Sequence, residues 1–285
     1  MRLAYDWRPL LLASLFLVAC SAVPALPLTA DETAPGPTAD ESAVGPTGND
    51  TAAAARKVSD DSGAAVVAVR LVVKVRMVVE GRQMDESERT DEIRATIIDP
   101  SGLAACSLSE VDPSRQMDLM MEEDPEYRFE AEIVDVKILQ PGGKEIPAKV
   151  VLRDRDLDLA FIRPVETPSE PMAAIDLAKR AQPQVLDQIV VLGRLGAVGN
   201  RVPSVALDRV QAIVEKPRTF YITGLETWMT GLGCPVFTLD GAAVGVLVVR
   251  AVPSVSSGDA GPYGDAMPVV LPAADILEAA EQAPQ

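Results

Sequence analysis

The side chains of this sequence that could do chemistry are carboxylates, hydroxyls and three cysteines, because no histidine occurs among its 285 residues. Without imidazole there is no group that exchanges protons near neutrality and no ring nitrogen to offer a metal. Histidine-based serine or cysteine hydrolysis, HExxH zinc chemistry and histidine-ligated metals are therefore closed to it. A serine–lysine hydrolase needs a serine three places before a lysine, and no lysine here has one. Gly193-x-x-Gly196-x-x-Gly199 lacks dinucleotide-site spacing and runs into a strand pattern where that site needs a helix, so it reads as a glycine-rich loop. Pro141-Gly-Gly-Lys144 reads as a hairpin turn and Glu122-Glu-Asp124 as a solvated loop, so neither a cofactor nor a metal is expected.

Charge narrows the partners. With 42 acidic against 26 basic side chains the net charge is −16, which argues against nucleic acid, since phosphate binding needs a clustered basic surface. Asp61-Ser62-Gly63 has the letters of an aspartic-peptidase triplet, but no apolar strand precedes it and no second copy exists, so it reads as a strand lead-in. At the N-terminus, Arg2 and Arg8 precede the apolar run Pro9–Ala19, too short to span a bilayer comfortably, and residues 1–20 read as an export signal. Leu17-Val18-Ala19-Cys20 resembles a bacterial lipobox, which implies lipid attachment at Cys20 and a membrane-anchored envelope location; an ordinary signal peptide or an uncleaved anchor is the alternative. Residues 21–60 lack aromatics and carry a near-repeat from Thr29 to Pro46, so they read as a disordered tether that cannot bury enough surface to offset chain entropy.

The elements that must position any chemistry lie beyond the tether. The run from Ala64 to Val79 is rich in β-branched residues and predicts a strand, followed by a charged loop from Gly81 to Glu92. Further strands are predicted at Ile93–Ile98, Arg128–Leu139, Ile146–Arg153, Leu159–Pro164, Gln188–Gly193, Val202–Glu215, Thr219–Thr223, Pro235–Leu239, Ala242–Val252 and Ala266–Val270. Many short strands punctuated by glycine and proline predict an all-β protein. Helices are expected only at Ala173–Arg180 and Pro272–Gln282.

Three segments in order carry a resemblance: Thr96–Leu103, Val150–Ile162 with Asp158-Leu-Ala, and Gly231–Val246 with Gly-Cys-Pro followed by Val-Gly-Val. Together they resemble the trypsin-like serine peptidases, in particular the bacterial HtrA-type branch. The resemblance implies a double β-barrel with two six-stranded lobes, 61–170 and 171–283, and a C-terminal helix. Carried over residue by residue, it places Ser109 where the general-base histidine stands, Asp158 at the aspartate, and Leu232 at the nucleophilic serine. Serine is no such base and leucine has no nucleophilic atom, so the resemblance implies a degenerate, catalytically inactive site. Thr230 falls on a glycine whose positive φ helps aim the oxyanion-hole amide, a conformation costly for a β-branched residue.

Asp158 is then a turn residue or, if buried between the lobes, an acceptor for Ser109 and nearby amides. Cys106 and Cys234 are two buried thiols or one disulfide; the resemblance, which sets both near the old cleft, favours the disulfide. A cysteine nucleophile at Cys234 is a poor reading, since it lies two places past the serine position with no histidine to deprotonate it. The function expected is an envelope protein- or peptide-binding or scaffold module, with a serine-type peptidase or other hydrolase as the alternative.

Overall fold

A computed structural model describes residues 48–79, 82–114, 127–140, 142–251 and 266–284. The β-branched runs form β1 Val66–Val79, β2 Arg82–Ile97, β3 Ala104–Ser107, β4 Tyr127–Leu139, β5 Glu145–Asp154 and β6 Leu159–Pro164. These close into one barrel in the order β1-β2-β3-β6-β5-β4. A second barrel, ordered β10-β11-β12-β9-β8-β7, is built from β7 Gln188–Arg194, β8 Pro203–Val214, β9 Phe220–Thr223, β10 Pro235–Thr238, β11 Ala243–Ala251 and β12 Ala266–Pro272. Both barrels are antiparallel throughout, so the double barrel with a C-terminal helix is the fold of this protein.

Alternation along the strands divides the apolar side chains between two clusters. Ile189, Val191, Val236, Leu247 and Val270 point into the second barrel. Val190, Leu192, Val246, Val248 and Leu271, from the opposite faces of the same strands, join the core of the first barrel. The second barrel thus packs an outer face onto the first, and that packing sets the seam where the predicted site residues meet.

Several elements differ from the sequence expectations. Where a charged loop was expected at Gly81–Glu92, the residues from Arg82 onward are strand: β2 pairs with β1 along its length, with one bulge between Met77 and Val78, and β1 also pairs with β4 out to Tyr127, forming a three-stranded ribbon. Cross-strand charges support it, Arg76 reaching Glu86 and Glu132 at 2.8 Å each. Residues 48–60, expected as the last part of a disordered tether, are helical instead: α1 Gly48–Ser62 buries Thr51, Ala55 and Val58. Those positions recur at i, i+4 and i+7, one face of a helix. Residues 1–47, including Cys20, lie outside the described residues.

Residues 173–180 are not helical; Ile175 donates its amide to the Ile97 carbonyl at 2.9 Å and buries its side chain, as does Leu177. Two short helices went unread, α2 Leu108–Val111 and α3 Leu225–Thr230, while α4 Ala273–Ala280 stands where the terminal helix was expected. The glycine-rich segment after β7 is a loop with a 3-10 turn, leading into β8. Among the described residues no helix is long and apolar enough to cross a membrane.

Candidate functional site

Asp158 reaches the seam through a turn that its own neighbours make. The Asp154 carboxylate accepts the amides of Asp156 at 2.9 Å and Leu157 at 3.0 Å, closing the chain on itself before β6. Asp158 follows with φ of 54°, a left-handed conformation that aspartate tolerates better than most residues. It is a turn residue, but not only that, for the turn directs its side chain inward, where it is 1% exposed.

There the carboxylate is filled. Oδ1 accepts from the Ser109 amide at 2.9 Å and the Ser109 hydroxyl at 2.6 Å. Oδ2 accepts from the Ser107 hydroxyl at 2.5 Å and, from the second barrel, the Val249 amide at 2.8 Å. A carboxylate offers about four lone-pair sites, and all are engaged. Ser107 precedes α2, yet its hydroxyl does not cap the helix and turns instead to Asp158. Ser109, 3% exposed on α2, is thus brought to Asp158 as a donor.

Leu232 stands apart from this network. It is half-buried in the loop between α3 and β10 and packs against the second barrel's core. Thr230 closes α3 and donates its hydroxyl to the Glu226 carbonyl at 3.0 Å, while positive φ falls on Gly231 (106°) and Gly233 (74°). At Gly233 a Cβ would meet the Arg94 carbonyl oxygen at 2.1 Å, so only glycine lets the loop lie against β2. The Gly233 amide turns inward to the Leu247 carbonyl at 2.7 Å, and its own carbonyl accepts from the Thr96 hydroxyl at 2.7 Å. The Arg94 side chain covers Gly231 and donates to the Arg194 carbonyl at 3.0 Å.

Glu110, next to Ser109, has a buried Oε2 with no partner. Burial pushes its carboxyl up to about 7, against the pull of Arg94 and with a small upward push from Asp158. The two cysteines are not bonded to each other, which corrects the disulfide expectation. Their side chains belong to different cores: the Cys106 thiol lies 3.4 Å from the Ala160 carbonyl in the first barrel, and the Cys234 thiol 3.7 Å from that of Thr230. Burial raises the Cys106 thiol well above its ordinary range and the Cys234 thiol to about 12, which leaves both poor nucleophiles. Among the described residues no group of three or more carboxylates and thiols is placed to hold a metal ion. The acidic stretch Glu122–Asp124 lies outside the described residues.

Sequence reasoning placed Ser109 and Asp158 but missed Ser107, Val249, Arg94 and Glu110. Two serines spaced by two at the end of an apolar run were a readable sign of Ser107; nothing local marks the others.

Residues 121–246 match the family described as trypsin-like peptidase domain, a stretch that includes Asp158 and Leu232 and begins beyond Ser109. The crystal structure of the MamO protease domain from Magnetospirillum magneticum, in its apo form, is similar at 18% identity and a TM-score of 0.46, over 76% of this chain and 96% of that one. No curated protein matches significantly. The matched stretch and the two closed six-stranded barrels together show a trypsin-like double-barrel fold.

Proposed function

We propose that this protein is a catalytically inert trypsin-like domain that binds extended protein segments at the bacterial envelope, held there by lipid on Cys20. The observation that carries the inert reading is the filled Asp158 carboxylate, whose four donors leave no acceptor to orient a base, in a chain with no imidazole to orient. The lipobox-like Leu17–Cys20 and the apolar run before it support the location.

What supports binding is an open strand edge. β11 pairs with β10 only as far as Val246, with two further bonds at Leu247, its amide to the Cys234 carbonyl and the Gly233 amide to its carbonyl. Beyond it, residues up to Ala251 pair with β12 on one side and, among the described residues, with no strand on the other. The Val249 amide uses that free edge to reach Asp158, and by alternation the Ala251 amide points the same way. An extended peptide adding there gains main-chain hydrogen bonds without any catalytic group.

Ala251→Pro removes the outward donor. Screening an array of extended peptides against the full chain should find binders that the variant loses, with no peptide cleaved. An array without binders, or binders indifferent to Ala251→Pro, contradicts the reading.

A further inference from the structure

A cavity of about 640 Å³ lies between the first barrel and α4, with Ile98, Leu103, Val165 and Leu277 among its apolar lining. That size suits a small organic molecule. Lys149 and Arg163 line it too, and they are direct partners in the β5–β6 ladder. Like charges facing each other across a ladder repel, so their pairing costs stability unless an anion lies between them. Among the described residues neither has a carboxylate within ion-pair distance.

Arg163 is short of an acceptor. Its Nη1 donates to the Ser101 hydroxyl at 3.0 Å, but its Nε is buried without a partner. A buried donor left unpaired is expensive. Asp99, also on the lining, is engaged elsewhere: its carboxylate accepts the Ser101 amide at 2.8 Å, and Ser101 more than Arg163 holds it below the usual carboxylate range. Val165, 58% exposed, leaves apolar surface open to water.

We infer that this cavity binds an organic carboxylate with an apolar body. The carboxylate sits between the Arg163 guanidinium and the Lys149 ammonium, and the body lies on Leu103, Val165 and Leu277. Asp99 and Glu281, both on the lining, disfavour a dianion such as phosphate and select a single charge.

The test titrates the full chain with 3-phenylpropionate and with a tripeptide ending in phenylalanine, each beside its primary amide. Both kinds of carboxylate share the chemistry, and whichever binds tighter identifies a free acid or a chain end as the source. At least one acid is expected to bind about tenfold or more tighter than its amide. Arg163→Gln and Lys149→Met should each erase most of that preference, the exposed Lys149 position keeping the fold intact. No saturable binding of either acid at millimolar concentration, equal binding of acid and amide, or a preference untouched by both variants overturns the inference.

Discussion

Asp158 and Arg163 bracket the same short strand, β6, and meet opposite fates. At the N-terminal end, the carboxylate collects four hydrogen bonds from three elements and both barrels. Toward the other end, the guanidinium leaves its buried Nε without an acceptor beside an open cavity. The end of the strand that would serve catalysis in a trypsin-like domain is closed by its own donors. Arg163 keeps unsatisfied polar capacity beneath α4, so the Asp158 charge ties the two barrels together while the Arg163 charge is left to meet a ligand.

The strongest way to break this contrast is to remove the carboxylate. Asp158→Ala strands four buried donors and should cost about 3–5 kcal/mol, read from the midpoint of denaturant unfolding. A loss under about 1 kcal/mol would mean that the seam does not depend on Asp158. Gly233→Ala attacks the same seam from the loop side, adding a Cβ 2.1 Å from the Arg94 carbonyl at a φ of 74°. It should cost about 2–4 kcal/mol in the same measurement, and a neutral result would contradict the close approach of loop and β2.

Glu110 sharpens the comparison through pH. Its carboxyl moves from an ordinary 4.5 to about 7 in the folded protein, first through burial and then against the pull of Arg94. The folded state therefore holds this proton more tightly than the unfolded chain. Glu110's contribution to stability should be undiminished below pH 4.5, fall between pH 4.5 and 7 as the unfolded state ionises first, and level off above. Glu110→Gln should flatten that fall and stabilise the protein at pH 8 by about 1–3 kcal/mol. An unchanged pH profile would show that Glu110 is solvated. The subtlest probe is thiol labelling: Cys106 and Cys234 should stay unmodified in the native protein and react once it is denatured, as mapped by mass spectrometry. Rapid native labelling of either would mean that the core around it is open.

The sequence made the barrels legible because Val66–Val79 and its fellows carry β-branched runs between glycine and proline stops, and the absence of imidazole and the leucine at position 232 are read from it directly. The ribbon was not legible, since Arg82–Glu92 has the composition of a loop and becomes strand through pairing with β1 and Arg76. The 173–180 segment carries helix formers, yet tertiary context draws Ile175 and Leu177 into the core through irregular chain and a turn. Contacts across the seam, such as Val249 with Asp158 or Thr96 with Gly233, join residues 91 and 137 positions apart, and no local pattern announces them.

The most direct measurement is hydrolysis of an unfolded protein such as casein by the purified chain, run beside labelling with a fluorophosphonate. The account predicts no turnover and no label above a blank. Turnover that disappears when Ser107, Ser109 or Asp158 alone is changed would contradict it.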